Sequence, residues 1–180
     1  QNPDKLMFDL DPPKGNFELA IKAAKALRYI LEEQLGLKAY IMTTGSKGLH
    51  VATPIKPDKN FDEVHQFAKQ VATYACVRNP KEFTTAIRKD KREGRLYIDF
   101  IRNSYAQTSV CPFSIRALEK APVATPLSWN ELNDTALNAQ TYTISSIFKR
   151  LETTGNPWKD FEKHAKSITS AKEKSETLVP

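Results

Sequence analysis

Cysteine is scarce in this chain: among its 180 residues it has only Cys76 and Cys111. The two lie far apart and form neither a CxxC pair nor the spacing of zinc ligands, which argues against a zinc site. A disulfide between them is disfavoured, and the favoured interpretation is two reduced intracellular thiols with packing roles.

Long apolar runs are also missing. No segment reaches the roughly 18–20 apolar residues that a membrane-spanning helix requires, and Gln1–Lys5 does not have the pattern of a signal peptide. The sequence has no internal repeat and no low-complexity block. Because it lacks an initiating Met and enters a strand almost at once, we expect it to be a fragment of a longer protein.

The composition is that of an ordinary globular domain. With 40% hydrophobic and 27% charged residues in 180, the chain can bury one core. Its 27 Lys and Arg exceed its 21 Asp and Glu, for a formal net charge of +6. This surplus permits a polyanionic partner such as nucleic acid without requiring one.

Strand and helix periodicities alternate along the chain. The predicted strands are 5–11, 38–43, 49–53, 96–101 and a short one near 113–117. The predicted helices are 16–35, 62–78, 128–138, 143–151 and a C-terminal one that frays into a charged tail over 163–180. This order predicts an α/β or α+β sandwich around one central sheet, with residues 1–162 as the domain.

The most informative stretch is Leu6–Pro13. Asp9 and Asp11 alternate with apolar residues in a run that stops at two prolines. Side chains two apart on a strand share a face, so both carboxylates point the same way. Their mutual repulsion is normally offset by a cation, and two-metal phosphoryl-transfer sites often begin with such a pair.

Asp99 is the candidate for a third carboxylate. It lies within Tyr97–Ile101, among residues that favour burial, and a buried ionised carboxylate is costly unless it is paired or binds a metal. An ion pair with Arg102 or Arg116 is one interpretation. With Asp9 and Asp11 in the same chain, a shared metal site is the favoured one.

The segment Thr44–His50 is a candidate anion-binding loop. Glycines such as Gly48 let backbone N–H groups turn toward an anion, Lys47 can reach phosphate oxygens, and the hydroxyls of Thr44 and Ser46 add donors. The spacing is not that of a Walker A loop. The alternative interpretation is a plain hairpin tip followed by a structural His50.

Two basic features complete the pattern. The charged stretch Arg88–Arg95, which includes Arg92, precedes the Asp99 strand; it is either a solvated hairpin or a contact for triphosphate or nucleic-acid backbone. Arg116 is a cation in an apolar segment and needs an anionic partner, either the aspartates or a bound phosphate.

Together these segments resemble the polymerase domain of bacterial ATP-dependent DNA ligase D, the primase-polymerase of non-homologous end joining. The resemblance covers roughly residues 4–161. It rests on FDLDP at 8–12, TGSKGLHV at 44–51, IDFIRN at 98–103, TSVCPFSIRA at 108–117, APVATPLSW at 121–129 and GNPW at 155–158. It implies an archaeo-eukaryotic primase-like fold, with a central, mostly antiparallel sheet and flanking helices.

The resemblance also implies roles for matching positions. The catalytic metal ligands would be Asp9, Asp11 and Asp99, holding two Mn²⁺ or Mg²⁺ ions. The nucleotide would be bound by Thr44, Ser46, Lys47, Gly48, His50, Arg92, Asn103 and Arg116. The implied activity is template-directed addition of NTPs or dNTPs to DNA 3′ ends in gap filling and end joining.

The family further implies DNA ends, Ku and a ligase domain as partners, and a cytoplasmic, nucleoid-associated monomer with no membrane partner. Family domains carry a segment ahead of the Asp-Leu-Asp strand that stacks on the incoming base and binds a recessed 5′-phosphate. That segment is not part of this sequence.

Two alternatives stay open. A non-catalytic nucleic-acid end-binding module would suit the +6 charge, although an aspartate cluster repels phosphates unless a metal is present. A phosphatase of the haloacid dehalogenase type would use the first Asp of Phe8–Asp11 as its nucleophile. Those enzymes expect Gly-Thr or similar after the second Asp, where this chain has Pro12 and Pro13.

Overall fold

A six-stranded sheet organises the computed structural model, which describes residues 2–178. The strands are β1 (Lys5–Asp11), β2 (Tyr40–Thr43), β3 (Leu49–Pro54), β4 (Phe83–Thr84), β5 (Leu96–Asp99) and β6 (Pro126–Leu127). Their spatial order is β4-β5-β1-β3-β2-β6, and all neighbours are antiparallel except β4 and β5. The predicted fold class is therefore confirmed.

In the described part of the chain, four α-helices accompany the sheet: α1 (Phe17–Tyr29), α2 (Phe61–Arg78), α3 (Ile147–Thr154) and α4 (Thr169–Glu176). Asn16 caps α1 by accepting a hydrogen bond from the Leu19 N–H, and Asn60 forms a capping box with Glu63 at the start of α2. The first predicted helix is correct in extent, but its last turn, Ile30–Gln34, is π-helical.

The central strand β1 has two chemically different faces. Leu6, Phe8 and Leu10 are fully buried in the main core, against the apolar faces of α1 and α2. The alternate residues Asp9 and Asp11 point to the opposite face, as the strand period requires. The pattern that buries β1 in the core thus presents its carboxylates on the other side.

A smaller apolar cluster covers part of that second face. Trp158 lies under the sheet, donates from Nε1 to the Ile41 carbonyl oxygen at 3.0 Å and stacks on Phe161, with ring centroids 5.1 Å apart. Met7, Tyr40 and Met42 belong to the same cluster. Polar side chains, including Asp9 and Asp11, occupy the rest of this face.

Several predicted element ends are wrong for local reasons. The strand predicted to reach Ile101 ends at Asp99, because the Asp99 carboxylate accepts the Ile101 N–H at 2.8 Å and a 3₁₀ turn follows. The strand near 113–117 is reduced to a bridge between Ile115 and Val123, because Phe113 has a φ of +65°. The two-residue strand β4 was not predicted at all.

The later helices are shorter than predicted. The segment predicted as 128–138 is a 3₁₀ turn over Trp129–Asn133, because Asp134 is extended. The helix predicted from Thr143 begins at Ile147, because the Thr143 N–H is bound by the Ser146 hydroxyl at 3.0 Å. Side-chain hydrogen bonds of this kind compete with the helical pattern.

The C-terminal segment packs on the domain. Ile168 and Ala171 are buried in the main core, and Ser175 donates to Gln70 of α2 at 3.2 Å. The predicted tail end at 179–180 lies outside the described residues, and the domain boundary at 162 stays a prediction. Within residues 2–178 no helix combines the length and apolarity needed to cross a membrane.

Candidate active site

Strand pairing places two carboxylates directly opposite each other. The register of β1 and β5 pairs Asp9 with Asp99, and the same residue of β1 pairs with His50 of β3. Asp11 lies one pleat further along the same face. The three predicted aspartates are therefore brought to one patch of the sheet, and the Asp99 residue is only 7% exposed.

Neighbouring donors compensate much of this negative charge. The Arg102 Nε lies 3.2 Å from Asp99 Oδ2 and 3.6 Å from Asp9 Oδ2, and His50 Nε2 lies 3.3 Å from Asp9 Oδ1. The Tyr97 hydroxyl donates to Asp99 Oδ1 at 3.3 Å. The Arg102 ion pair considered for Asp99 in the sequence is thus present, and Arg102 joins the site.

Asp11 is the least compensated of the three. Burial raises the pKa of its carboxyl, the nearby Asp9 carboxylate raises it further, and Arg92 opposes both effects. A carboxyl with this environment gains most from an additional cation.

The donor set suits a hard divalent ion. It consists of carboxylate oxygens, the ligands that Mg²⁺ and Mn²⁺ prefer, and one member has a raised pKa caused partly by a like charge. As the side chains stand, however, no three His, Cys, Asp or Glu residues in the described part of the chain are grouped closely enough for one ion. Arg102 occupies the position between Asp9 and Asp99 instead.

The loop between β2 and β3 is held in shape by Thr44. Its Oγ1 accepts the N–H groups of Ser46 and Gly48 at 3.3 and 3.2 Å, and its backbone N–H donates to the Gly48 carbonyl oxygen at 3.1 Å. Two groups expected to face a phosphate, the Thr44 hydroxyl and the Gly48 N–H, are thus used within the loop. Ser46 stays half-buried and Lys47 exposed.

Glycine is required at Gly48 for a steric reason. A Cβ there would overlap the Leu10 carbonyl oxygen and lie 3.1 Å from the Pro12 Cδ. The close approach of β3 to β1 keeps Lys47 in the lining of the same cleft as Asp11. The sequence pattern predicts an anion-binding role for Gly48, and the structure adds this packing role.

Arg116 crosses the same loop. Its Nη1 donates to the Thr44 carbonyl oxygen at 3.4 Å, and its side chain passes so near Gly45 that a Cβ there would lie 2.8 Å from the Arg116 Cγ. Gly45 also has a φ of +66°, which favours glycine. The loop therefore seats Arg116 over the cleft.

Arg92 and Asn103 are placed differently from the other predicted nucleotide ligands. Arg92 lies over the Tyr97 ring at 4.1 Å and donates to the carbonyl oxygens of Ala86 and Ile87. Asn103 is 4% exposed, and its amide is fully engaged with backbone groups. The Asn103 amide thus already has backbone partners, and a direct nucleotide contact for Asn103 stays a prediction.

Two adjoining cavities open at the aspartates. A cleft of about 530 Å³ gathers most predicted residues: Asp9, Asp11, Thr44, Ser46, Lys47, Gly48, His50 and Arg116, together with Arg102. A larger one of about 890 Å³ shares Asp11, Ser46 and Lys47 and adds the cations Lys14, Lys89, Arg92 and Arg95. Asp99 lines neither cavity, but Arg102, which pairs with it, lines the smaller one.

Comparison with known proteins adds independent evidence. A family model described as the LigD primase-polymerase domain matches residues 1–158. The bifunctional non-homologous end joining protein LigD of Bacillus subtilis is 32% identical over 163 residues, and the multifunctional LigD of Pseudomonas aeruginosa is 30% identical over 173. The matches cover 89% and 95% of this chain, which spans only 26% and 20% of those proteins.

A solved structure also matches most of this chain. The polymerase domain of Mycobacterium tuberculosis ligase D, determined in complex with DNA, superimposes with a TM-score of 0.84 at 30% identity. The match covers 92% of this chain and 57% of that one.

The first prediction concerns Asp11. Because the folded state raises its pKa, ionisation of Asp11 opposes folding above its ordinary pKa of 3.8. Asp11→Asn should therefore raise the Tm without metal at pH 7 by about 1–4 °C, the size expected for up to about 1 kcal/mol in a chain of this length. The gain should shrink near pH 4 (about the ordinary carboxyl pKa). Circular-dichroism melts in EDTA measure it.

The exposed Asp58 provides the control. Asp58→Asn should leave the Tm nearly unchanged, and a Tm for Asp11→Asn below wild type would contradict the electrostatic argument.

The second prediction concerns Gly48. Gly48→Ala should lower the free energy of unfolding by about 3 kcal/mol or more, the upper range for overpacking, because the overlapping atom belongs to the backbone. Gly15→Ala is the matched control: Gly15 has a φ of +80° but open space around it, so only backbone strain of about 1–2 kcal/mol applies. Urea titrations should rank Gly48→Ala as the more damaging, and the opposite ranking would refute the steric role.

Proposed function

The chain belongs to the LigD primase-polymerase family, and from this premise we propose that it is a nucleotidyltransferase. It adds NTPs or dNTPs to DNA 3′ ends, directed by a template, in gap filling and double-strand-break end joining. The observation that best supports the proposal is the pairing of Asp9 with Asp99 across β1 and β5, in a patch flanked by Lys47 and Arg116.

Asp9, Asp11 and Asp99 would hold two divalent ions, Mn²⁺ or Mg²⁺. When bound, such ions lower the pKa of an attacking hydroxyl and neutralise the triphosphate and its leaving group. The carboxylates would determine the position of the ions, because strand register holds Asp9 and Asp99 opposite each other. Arg102 would have to leave its position between Asp9 and Asp99 for the ions to enter.

The cations around the cleft would bind the triphosphate. Lys47 is exposed beside Asp11, and Arg116 is anchored over the loop by the Thr44 carbonyl oxygen. Both are positioned to offset negative charge that grows on phosphate oxygens during transfer. The Ser46 hydroxyl adds a neutral donor, and His50 would contribute a ring N–H beside Asp9.

The larger cavity would accept nucleic-acid backbone. Its lining carries five cations, Lys14, Lys47, Lys89, Arg92 and Arg95, against the single carboxylate of Asp11. An excess of this kind attracts phosphates without base specificity. It adjoins the aspartates, where a primer end would need to be.

Ku and a ligase domain are proposed as partners because the relatives are named as multifunctional end-joining proteins. The match spans 26% and 20% of two such relatives, so in those proteins these contacts would also involve segments beyond the matched one. The chain itself is proposed to act as a monomer.

A second candidate is a non-catalytic DNA end-binding module. The observation that favours it is the Arg102 ion pair, which offsets part of the negative charge of Asp9 and Asp99 without a metal. Under this alternative, DNA binding would need no divalent ion and would survive replacement of Asp9 and Asp11.

The third prediction tests the catalytic assignment. Asp99→Asn keeps the shape and an acceptor for the Ile101 N–H but removes a charge, so it should fold and lose more than about 100-fold in transfer rate. The assay is nucleotide addition to primed, gapped DNA with a 5′-phosphate, using Mn²⁺ and either ribo- or deoxynucleotides. Asp58→Asn should retain full activity. Near-normal turnover by Asp99→Asn would rule out the metal assignment.

The fourth prediction concerns Arg102 and the metal. Removing this guanidinium takes away the cation that Asp9 and Asp99 share, so Arg102→Met should lower the Tm in EDTA and bind Mn²⁺ more tightly than wild type. Calorimetric titration and melts with saturating Mn²⁺ measure both effects. Arg116→Met, which removes a cation paired with no aspartate in the described residues, should leave Mn²⁺ affinity unchanged. A Tm insensitive to Mn²⁺ in both wild type and Arg102→Met would count against the metal site.

A further inference from the structure

The strand pair that carries Asp9 and Asp99 ends abruptly. The ladder between β1 and β5 runs from Asp11 to Asp9 and stops. Two residues further along each strand, Met7 would lie opposite Ile101. Instead, Phe100 adopts helical angles, with φ −95° and ψ −9°, and the chain turns away in a 3₁₀ turn over Ile101–Asn103.

The Asn103 side chain fills the vacated place in the ladder. Its Oδ1 accepts the Met7 N–H at 2.8 Å, and its Nδ2 donates to the Met7 carbonyl oxygen at 2.8 Å. The same Nδ2 donates to the Phe100 carbonyl oxygen at 2.7 Å. One amide therefore replaces the peptide group that a continuing β5 would have offered to β1, and also closes the turn.

Few side chains can do this. The position requires one acceptor and two donors on a short stem, which is the inventory of asparagine. Asp in its ionised form would face two carbonyl oxygens with an acceptor. An apolar residue would leave the Met7 N–H and carbonyl oxygen without this partner, whereas the Phe100 carbonyl oxygen would keep its bond from the backbone N–H of residue 103. Because Asn103 is 4% exposed, water has little access to replace the lost bonds.

The turn that Asn103 closes positions two charged groups. It allows the Ile101 N–H to reach Asp99 Oδ1 at 2.8 Å, which orients that carboxylate. It also turns Arg102 back toward Asp99 and Asp9. Without this turn, β5 would continue and the side chain at position 102 would alternate to the opposite face of the sheet from the carboxylates.

We infer that Asn103 is a positioning residue for nucleotidyl transfer: by standing in for the missing strand pair at Met7, it holds Asp99 opposite Asp9 and presents Arg102 to both. This rests on the proposed function for its catalytic consequence. It is distinct from the direct nucleotide contact that the family resemblance implied.

The test begins with hydrogen exchange in the wild-type protein, which requires no activity. The Met7 and Ile101 amides should exchange slowly, like those of the β1–β3 ladder. In Asn103→Asp both should exchange faster, while amides of α1 and α2 stay protected. Fast exchange of Met7 in wild type, or unchanged exchange in the variant, would overturn the inference.

Steady-state kinetics distinguish a positioning role of Asn103 from a direct nucleotide contact and from a general loss of stability. Asn103→Asp should lower kcat by about 10–100-fold, the effect typical of groups that orient metal ligands, with an unchanged KM for the nucleotide. A raised KM with unchanged kcat would indicate a direct contact instead. Leu27→Ala, a core change on the helical side, is the control for lost stability and should keep kcat at a temperature where both variants are folded.

If Leu27→Ala loses as much kcat as Asn103→Asp, the role of Asn103 is merely structural and the inference fails. Should Asn103→Asp not fold, Asn103→Ser replaces it, since it keeps a small polar group, with the same expected exchange pattern. Absence of transfer in wild type would refute the proposed function, while the Met7 and Ile101 amides would still decide whether Asn103 holds the strand ends.

Discussion

Repulsion between carboxylates is the constraint on which the site depends. Strand register places Asp9 opposite Asp99, and Asp11 follows on the same face. Neither burial nor hydrophobic packing can stabilise that arrangement, so other groups compensate the negative charge. Asp9 is compensated by His50 and Arg102. Asp99 is compensated by Arg102, Tyr97 and the Ile101 N–H. Asp11 has the least compensation and the raised pKa. Clustered carboxylates of this kind favour the binding of an additional cation.

Rigidity elsewhere makes this possible. The apolar face of β1 is locked into the main core by Leu6, Phe8 and Leu10, while Trp158 and its neighbours brace the far end of the second face. The carboxylates cannot relax apart by moving the strands. The loop that carries Lys47 is held as firmly, because Gly48 lies against the Leu10 carbonyl and Thr44 closes the loop internally. The charges are therefore confined to a fixed frame, and side-chain rotation is the freedom that remains.

Much of this could be predicted from the sequence, and the failures have physical causes. Strands β1 and β3 and helices α1 and α2 follow period-2 and helical patterns long enough to be unambiguous. Two failures occur where a side chain takes over a backbone hydrogen bond: the Asp99 carboxylate ends β5, and Ser146 delays α3. A third has a different cause, the left-handed backbone of Phe113, which removes a strand. The strand β4 is two residues long and carries too little pattern to detect. Arg102 was considered only as a partner of Asp99, although its spacing three residues after that aspartate was a usable signal.

The sequence by itself determined which face of β1 is buried, that two aspartates share the other face, and that a third carboxylate and an anion-binding loop occur in the order of a known family. Those conclusions need only local periodicity and residue chemistry. Tertiary structure decided which of these groups meet. Pairing of β1 with β5 and β3 put Asp9 between Asp99 and His50. It also gave Gly48 a packing role against the Leu10 carbonyl oxygen and the Asn103 side chain a role in binding the Met7 backbone. Such roles depend on atoms about 40 and 100 positions away along the chain, joined by strand pairing rather than by local pattern.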